Sequence, residues 1–326
     1  MSEKLTYVLP FKAGGGEDLD DLTAYLQALA RVVDVIVVDG SEGRAFERHA
    51  DLWSGYATHV PPRDGLGFAN GKVDGVITGV EIAASEKVVV ADEDVRYEVG
   101  ALQRTAELLD SYDLVRPQNY FDPMPWHALW DTGRTLLNRA FAADYPGTLG
   151  VRRSVFLDAG GYDGDAMFEN LEMIRTIEEA GGSSTAPLDL YVRRLPPDAA
   201  QFWAQRTRQA YDDLAQPWRL ATFAALGPAA VVAARWRPAL LAAGVGAIVG
   251  LAETGRRKGG GTRVFPVAAS LMAPLWVVER AACTWVALVH RMLGGIPYRG
   301  SRLKVAANSR RTIRRRLAER SGRSRR

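Results

Sequence analysis

Two carboxylates, Asp92 and Asp94, directly follow the apolar run 87–91. After a buried strand the chain turns toward the open end of a sheet, so both side chains are expected in one crevice beyond that strand's carboxyl end. Carboxylate oxygens there suit Mg²⁺ or Mn²⁺ and leave coordination positions for substrate phosphates. An acidic turn without a metal is common after strands, but the motifs around this pair favour a divalent metal site.

The elements that would hold this turn are predicted from hydrophobic periodicity. The first 195 residues alternate short apolar segments with amphipathic ones of about ten to fifteen residues, which is typical of βαβ units around a largely parallel sheet. Glycines 14–16 lack the spacing of a phosphate-binding loop and are interpreted as a flexible turn. The strands are predicted near Leu5–Leu9, Val33–Val38, Lys87–Ala91 and Asp113–Arg116, and the helices over Glu17–Ala30, Lys72–Ala84, Glu98–Leu109, His127–Ala142 and Phe168–Ala180.

The composition is that of a globular protein with a basic end. Of the 326 residues 47% are hydrophobic and 24% are charged, which allows one large domain or two. Residues 291–326 hold 13 of the 41 Lys and Arg but only one acid, so the rest of the chain is acidic. The single cysteine, Cys283, excludes an internal disulfide framework and a Cys-based zinc cluster, and it indicates a reducing compartment. Residues 1–11 do not read as a signal peptide, so the first domain is expected in the cytoplasm.

Two apolar runs, Leu220–Ala234 and Ala239–Ala252, are candidate membrane helices. Each has about 15 residues, fewer than the roughly 20 of a full span, so a buried helical hairpin is the alternative. Because both runs are rich in Ala, Val and Leu on all faces, the pattern favours membrane insertion. A third segment, Val264–Val289, contains prolines and the charged pair Glu279-Arg280.

The positive-inside rule places the basic loop Arg256–Arg263 and the basic tail 299–326 on the cytoplasmic side of a membrane. The third apolar segment then cannot cross, and an in-plane or re-entrant helix is predicted there. Because it follows apolar segments, the arginine-rich tail is expected to attract anionic membrane lipids. Nucleic-acid binding is the less favoured alternative and no nucleic acid is expected as a partner, while a disordered, solubilising tail is compatible with either.

Four motifs follow one another in the first 95 residues, at 8–12 (VLPFK), 35–41 (VIVVDGS), 70–72 (NGK) and 92–94 (DED). This order resembles the family 2 glycosyltransferases, whose GT-A fold is a Rossmann-like α/β fold for nucleotide-diphospho-sugar transfer. The segments 147–156 and 160–163 resemble the acceptor-side part of that family. The resemblance covers roughly residues 5–215.

The resemblance implies a nucleotide site at the ends of the first two strands. Pro10, with Phe11 and Lys12 beside it, matches the turn that touches the nucleotide base. Asp39 matches the acidic turn that recognises uracil and ribose. A UDP-sugar is therefore the expected donor, although guanosine diphosphate donors occur on the same fold.

The resemblance also implies a diphosphate and metal site. Gly71 and Lys72 match the Gly-Lys pair that precedes a helix. Asp92 and Asp94 match the D-x-D motif that holds Mn²⁺ or Mg²⁺ on the donor diphosphate, with Asp92 also bridging toward the ribose. The metal would stabilise the charge on the leaving diphosphate while an acceptor oxygen attacks from the opposite face with inversion.

In the family a Glu-Asp pair at a helix start supplies the general base, but this chain has Glu169-Asn170 there. Because Asn170 cannot titrate, the candidate bases are Glu169 and, one helical turn away, Glu172. An acceptor that is already an anionic lipid phosphate would need no base. The identity of the base and that of the acceptor are therefore linked.

A further motif of the membrane-bound branches, (Q/R)-x-x-R-W on an interfacial helix, resembles 205–209 without its Trp. Gln205, Arg206 and Arg208 would then contact the leaving diphosphate or a headgroup. An ordinary amphipathic helix is the alternative interpretation.

These features together predict a membrane-associated, inverting hexosyltransferase at the cytoplasmic membrane that uses a nucleotide-diphospho-sugar donor and a lipid or lipid-linked acceptor. The predicted division is a GT-A catalytic domain over 1–215, hydrophobic membrane-associated helices over 216–298 and a basic cytoplasmic tail over 299–326. A non-catalytic nucleotide-sugar-binding scaffold, suggested by Asn170, and a nucleotidyltransferase on a similar fold are the alternatives.

Overall fold

The fold was obtained as a computed structural model that describes residues 5–14, 16–298 and 301–324. The chain divides into two compact units. The first is formed by the described residues within Met1–Pro117, Pro146–Ala186 and Asn308–Arg326, and the second by those within Gln118–Tyr145 and Pro187–Ala307. The functional division at residues 215 and 298 stays a prediction.

The described residues form short strands and longer helices, numbered here in chain order. Strands β1 to β12 are Leu5–Phe11, Asp34–Asp39, Thr58–Val60, Lys87–Ala91, Val95–Arg96, Leu114–Val115, Gln118–Phe121, Thr148–Arg152, Ser184–Thr185, Tyr191–Arg194, Ile296–Tyr298 and Ser301–Leu303. Helices α1 to α12 are Asp20–Leu29, Arg44–Trp53, Gly71–Ile82, Val99–Leu108, Trp126–Phe141, Arg153–Asp158, Glu169–Glu179, Ala199–Tyr211, Pro217–Trp236, Pro238–Arg257, Val267–Met292 and Arg310–Ser324. Two 3₁₀ segments are Asp212–Ala215 and Lys258–Arg263.

The first unit is built around a seven-stranded sheet in the order β3-β2-β1-β4-β8-β6-β9. Strands β1 to β4 are parallel neighbours, as the βαβ pattern predicts. Strand β8 is antiparallel to both β4 and β6. Strand β4 lies at its predicted position, and all five of its residues are buried, because Val-rich strands suit the centre of a sheet covered on both faces.

Helix α3 approaches the sheet closely because two of its residues are glycines. A Cβ atom added at Gly79 would lie 2.2 Å from a methyl of Val8, and one added at Gly75 would lie 2.9 Å from Pro10 Cβ. The helix is capped by Asn70, whose side chain accepts a hydrogen bond from the Lys72 amide at 3.3 Å. Sheet packing and cap together place Lys72 in the first turn of α3, at the carboxyl ends of the strands.

Some predicted element bounds are wrong. Helix α1 begins at Asp20 rather than Glu17, because the Asp18 carboxylate accepts a hydrogen bond from the Asp20 amide at 3.0 Å and forms a local turn. The strand predicted over 113–116 is reduced to Leu114–Val115. Helices α3, α5 and α7 lie within one or two residues of their predicted bounds. Gly15 of the predicted glycine turn lies outside the described residues.

The second unit contains the parallel pair β7–β10, the hairpin β11–β12 and helices α5 and α8 to α11. Its buried apolar cluster consists of Leu136, Ala252, Phe265, Ala269 and Ala273. Helices α5 and α11 cross closely at a glycine, since a Cβ atom added at Gly133 would lie 2.9 Å from Ala273 Cα.

Three segments of the second unit are long and apolar enough to cross a bilayer, namely Pro217–Trp236, Pro238–Arg263 and Val267–Met292. The first two exceed the 15-residue runs of the sequence, because the helices continue through the flanking polar residues to at least 20 residues each. Helix α9 has no buried residue. Its crossing of a membrane, and the in-plane orientation of the third segment, stay predictions.

The charged pair of helix α11 is turned toward the rest of the second unit. Glu279 Oε2 lies 3.6 Å from an Arg206 guanidinium nitrogen, and an Arg280 guanidinium nitrogen lies 3.6 Å from Asp213 Oδ2. The opposite face of this helix exposes Leu271, Leu275 and Val278. Helix α11 therefore buries this charged pair beside apolar residues such as Ala273 and Trp276, while other apolar side chains of the helix are exposed.

Candidate active site at the carboxyl end of the central sheet

A lysine lies between two carboxylates at the carboxyl end of strand β4. Asp92 follows β4 directly, Lys72 lies in the first turn of α3 and Glu169 begins α7. The Lys72 ammonium forms an ion pair with Asp92 Oδ1 and another, at 2.5 Å, with Glu169 Oε1. Residues that are up to 97 positions apart in sequence are thereby brought together.

Burial and charge set the protonation of this cluster. Burial alone would lower the pKa of Lys72, but the Asp92 and Glu169 carboxylates outweigh it and hold the pKa above its ordinary value. Burial raises the pKa of Glu169, and the Lys72 ammonium opposes that shift. Lys72 is therefore a fixed cation, whereas Glu169 is closer to exchanging a proton near neutral pH than an ordinary glutamate.

Tyr162 completes the surroundings of Glu169. Its hydroxyl donates a hydrogen bond to Glu169 Oε2 at 3.2 Å, and burial raises the pKa of Tyr162 well above its ordinary value. Each oxygen of Glu169 therefore has a defined partner, Lys72 on one side and Tyr162 on the other. The sequence singles out the segment that contains Tyr162 but not this contact.

The other predicted residues of helix α7 have different surroundings. Both carboxylate oxygens of Glu172 accept hydrogen bonds from Asn308, at 2.6 and 2.9 Å. Burial raises the pKa of Glu172. The Asn170 side chain donates a hydrogen bond to the Pro146 carbonyl at 3.0 Å. Of the three predicted catalytic residues, Glu169 is thus the one shown in contact with Lys72.

The turn after β4 provides the predicted metal ligands. The Asp92 amide donates a hydrogen bond to the Gly147 carbonyl at 2.9 Å, and the Asp92 carbonyl accepts one from the Val95 amide at 3.0 Å. Asp92 and Asp94 are both partly exposed on this turn. Within the described ranges, no three His, Cys, Asp or Glu side chains form a metal-binding group. Two carboxylates are the ligand type that suits a hard divalent ion such as Mg²⁺ or Mn²⁺, and a metal site at Asp92 and Asp94 stays a prediction.

The predicted nucleotide-contacting residues lie at the ends of β1 and β2. Pro10 and Phe11 end β1, and the buried Phe11 ring lies edge-on to Trp53 with 5.0 Å between ring centroids. Lys12 is half exposed and pairs with Glu42 at 3.5 Å. The register places Phe11 beside Asp39, at the same edge of the sheet as the end of β4.

The Asp39 carboxylate is held inside the protein. It accepts hydrogen bonds from the Ser41 amide at 2.8 Å, His49 Nδ1 at 2.7 Å and His59 Nε2 at 3.1 Å. Burial acts to raise the pKa of Asp39, but the bonds from Ser41, His49 and His59 together lower it. The sequence does not identify the two histidines as its partners, and a nucleotide contact by Asp39 stays a prediction.

Gln205, Arg206 and Arg208 lie on α8, in the second unit. Arg206 is buried and donates a hydrogen bond to Asp131 Oδ1 at 2.9 Å. The Arg208 guanidinium lies 5.2 Å from the centroid of the Tyr298 ring. Gln205 is half buried. Arg206 thus has a structural ion pair in this unit, and the predicted contact of these residues with a diphosphate stays a prediction.

Comparison with solved structures shows the fold. The mannosyltransferase PcManGT from Pyrobaculum calidifontis, in complex with GDP-Man and Mn²⁺, matches with a TM-score of 0.52 at 18% identity, over 90% of this chain and 88% of that one. Weaker likenesses are to the mannosyl-3-phosphoglycerate synthase from Rubrobacter xylanophilus (TM-score 0.42, 15% identity, 63% and 71% covered) and the M. tuberculosis glucosyl-3-phosphoglycerate synthase (TM-score 0.41, 16% identity, 64% and 78% covered). No protein-family model and no curated protein matches the sequence. The predicted GT-A-type α/β fold followed by long apolar helices is thereby confirmed.

Proposed function

We propose that the protein is a metal-dependent glycosyltransferase of the family 2 type, which transfers a sugar from a nucleotide-diphospho-sugar to a lipid or lipid-linked acceptor with inversion. The observation that carries the proposal is the placement of Lys72 between Asp92 and Glu169, at the carboxyl end of a GT-A-type sheet. Ligands of open α/β sheets bind at that edge. A cation and carboxylates there suit a diphosphate leaving group and a proton acceptor.

In the proposed reaction the residues of the cluster have different roles. Asp92 and Asp94 would hold Mn²⁺ or Mg²⁺, which supplies Lewis-acid stabilisation of the leaving diphosphate. The Lys72 ammonium adds a fixed positive charge beside the Asp92 carboxylate. Glu169, whose pKa is raised by burial, accepts the proton of an acceptor hydroxyl. Tyr162 and Lys72 orient its two oxygens.

For the donor, two observations point to different nucleotides. The turn at Asp39 resembles a uracil-recognising turn, which favours a UDP-sugar. The solved mannosyltransferase of similar fold is in complex with GDP-Man, which favours a guanosine nucleotide. The Asp39 carboxylate already accepts hydrogen bonds from His49 and His59 inside the protein. We therefore assign recognition of the nucleotide base to the backbone and neighbouring groups of this turn rather than to that carboxylate.

For the acceptor, the exposed apolar surface of the second unit supports a lipid. Along α9 the side chains of Val231, Val232 and Trp236 are exposed, as is Leu240 on α10. Exposed apolar surface of this extent is typical of membrane contact. The acceptor headgroup would be presented at the cytoplasmic face, where nucleotide sugars are available to the first unit.

The test is nucleotide-dependent thermal stabilisation of the detergent-purified full chain, with uridine, guanosine and cytidine diphosphates and their sugars, with and without Mn²⁺. A ligand that binds only the folded state raises its stability by about 2.7 kcal/mol at 100 times its Kd. We expect one nucleotide to stabilise the wild type in a metal-dependent manner, and Asp94→Asn to abolish that response. Asp51→Asn, an exposed change on α2, is the matched control. The responding donor is then assayed for sugar transfer to lipid extracts.

Absence of stabilisation by any nucleotide in a folded sample would refute the sugar-nucleotide site. Stabilisation without transfer to any lipid fraction would favour the non-catalytic nucleotide-sugar-binding scaffold. Release of inorganic pyrophosphate from a nucleoside triphosphate and a sugar phosphate would indicate the nucleotidyltransferase instead.

A further inference from the structure

Asn308 forms hydrogen bonds with two segments of the first unit that are distant from it in sequence. Its side-chain amide donates to Asp163 Oδ2 at 2.7 Å and to Glu172 Oε1 at 2.9 Å. Its backbone amide donates to Glu172 Oε2 at 2.6 Å, and its carbonyl accepts from Arg175 at 2.8 Å. We call the bonds to Asp163 and Glu172 the Asn308 link. Asn308 is buried, so these bonds are shielded from water.

The two ends of the Asn308 link lie next to the two supports of Glu169. Glu172 is one helical turn after Glu169 on α7, so fixing Glu172 fixes the first turn of that helix. Asp163 directly follows Tyr162, whose hydroxyl donates to Glu169 at 3.2 Å. A displacement of either segment would move Glu169 relative to Tyr162 and Lys72.

An amide suits this position for a chemical reason. Asp163 and Glu172 are both carboxylates, and the side-chain amide of Asn308 places one N–H on each of them. A carboxylate in its place would have no hydrogen to donate and would add a third negative charge. The link therefore depends on the amide and not only on the size of the side chain.

Helix α12 keeps Asn308 in place. Arg310 forms ion pairs with Glu178 and Glu179 at the end of α7, at 2.6 and 2.7 Å. Arg316 pairs with Asp163, and the Arg320 guanidinium donates to the Ala159 carbonyl at 3.0 Å. These arginines thus hold the segment of Asn308 against the end of α7 and against residues 159–163.

We propose that Asn308 is a positioning residue, which holds Glu169 in its place between Lys72 and Tyr162 by linking the start of α7 to the Tyr162 segment. The inference rests on the proposed function for its catalytic consequence. It assigns to the C-terminal segment a part in building the transferase site, separate from any contact of its arginines with lipids.

The first test measures the link without using activity. Hydrogen–deuterium exchange is compared in the full-length wild type, Asn308→Ala, Asn308→Asp and the control Arg311→Ala, which alters an exposed arginine on α12. We expect amide exchange in residues 160–163 and in the first turns of α7 to increase about tenfold or more in both Asn308 variants. The control should exchange like the wild type. Unchanged exchange in these segments would overturn the proposal, whatever the enzyme does.

The second test measures the consequence for turnover. We expect Asn308→Ala to lower kcat about tenfold or more, to leave nucleotide-dependent stabilisation intact and to shift the acidic limb of the kcat–pH profile, since Glu169 would lose its fixed distance to Lys72 and Tyr162. Glu172→Gln combined with Asn308→Ala should be non-additive in kcat, because both changes weaken the same link between Asn308 and Glu172. Altered exchange with an unchanged pH profile and additive effects would leave only a structural link and overturn the positioning role. If no nucleotide stabilises the wild type, the proposed function fails, and the exchange measurement still decides whether the link exists.

Discussion

Lys72 Nζ lies 2.5 Å from Glu169 Oε1, although 97 positions separate the two residues in the sequence. The same ammonium also contacts Asp92, so one cation is shared between the proposed metal-binding turn and the proposed base. Any ligand that draws Lys72 toward a diphosphate would weaken its hold on Glu169. In the proposed reaction, binding of the donor and activation of the acceptor would therefore be coupled through this side chain.

Replacement of Lys72 tests that coupling. Lys72→Met should lower kcat on the order of 100-fold, because it removes a positive charge from the region of the leaving diphosphate. It should also move the acidic limb of the kcat–pH profile upward, since the Lys72 ammonium lowers the pKa of Glu169. Steady-state kinetics between pH 5 and 9 measure both effects, with Arg104→Met on the exposed surface of α4 as control. A normal kcat and pH profile in Lys72→Met would contradict the assignment.

Replacement of Glu169 tests the proposed base. Glu169→Gln keeps the shape of the side chain but cannot accept the proton, so kcat should fall by about 10²–10⁴ while donor binding persists. In the wild type kcat should rise with pH through a value above the ordinary glutamate range, because burial raises the pKa of Glu169. Single-turnover experiments measure the rate of sugar transfer, and nucleotide titrations measure donor binding. Glu107→Gln on α4 is the control. Full activity in Glu169→Gln would indicate an acceptor that needs no base, such as a lipid phosphate.

Asp39 is expected to stabilise the fold. Asp39→Ala leaves two buried histidine nitrogens without their shared carboxylate, which should cost about 3 kcal/mol or more and lower Tm by roughly 5–10 °C. Because the pKa of Asp39 is lowered on folding, its stabilisation is present above the ordinary aspartate pKa and is lost as the pH falls through the lowered value. The difference in Tm between variant and wild type should therefore narrow below about pH 4. Asp34→Ala, at the exposed start of the same strand, should have little effect on Tm. An equal decrease of Tm in both variants would argue against a special role of Asp39.

Helix α9 is expected to lie in lipid. Val231→Glu places a charge within the apolar part of this helix, and a charge costs up to about 2.5–3.5 kcal/mol of insertion free energy at the centre of a membrane helix. The variant should shift from the carbonate-resistant membrane fraction toward the soluble or aggregated fraction. Val32→Glu is the matched control, since Val32 is also an exposed valine but lies in the first unit. Equal membrane retention of both variants would exclude α9 as a membrane anchor.

The sequence predicts the parts of the fold that have strong periodicity or apolar length. Strand β4 contains three consecutive valines, and helices α5 and α7 have a clear amphipathic period, so their positions are predicted within two residues. Helix α3 is buried over most of its length and is also predicted within two residues. Strands β6 and β9 have only two residues each, too few for a period of two to be visible, and β9 is missed. Strand β8 pairs antiparallel with β4. This pairing joins distant parts of the chain, so no local sequence pattern predicts it.

For the candidate site, the sequence predicts several of the residues but not the contacts between them. Lys72, Asp92 and Glu169 are found as members of separate motifs, but their shared contact is a product of the sheet order. The sequence identifies Asp39 as a residue of a turn. It does not predict that the Asp39 carboxylate is hydrogen-bonded by His49 and His59, because no sequence motif marks these two histidines. Asn308 is 136 positions from Glu172, within a segment that the sequence marks only by its positive charge.

The return of Asn308 and α12 to the first unit has a consequence for biosynthesis. Among the described elements, the helix that completes this unit is the last to leave the ribosome, after the long apolar helices have been translated. A nascent chain would therefore have an incomplete first unit until those apolar helices have been translated. In the proposed transferase, this order of synthesis would complete the active site only after those apolar helices have left the ribosome.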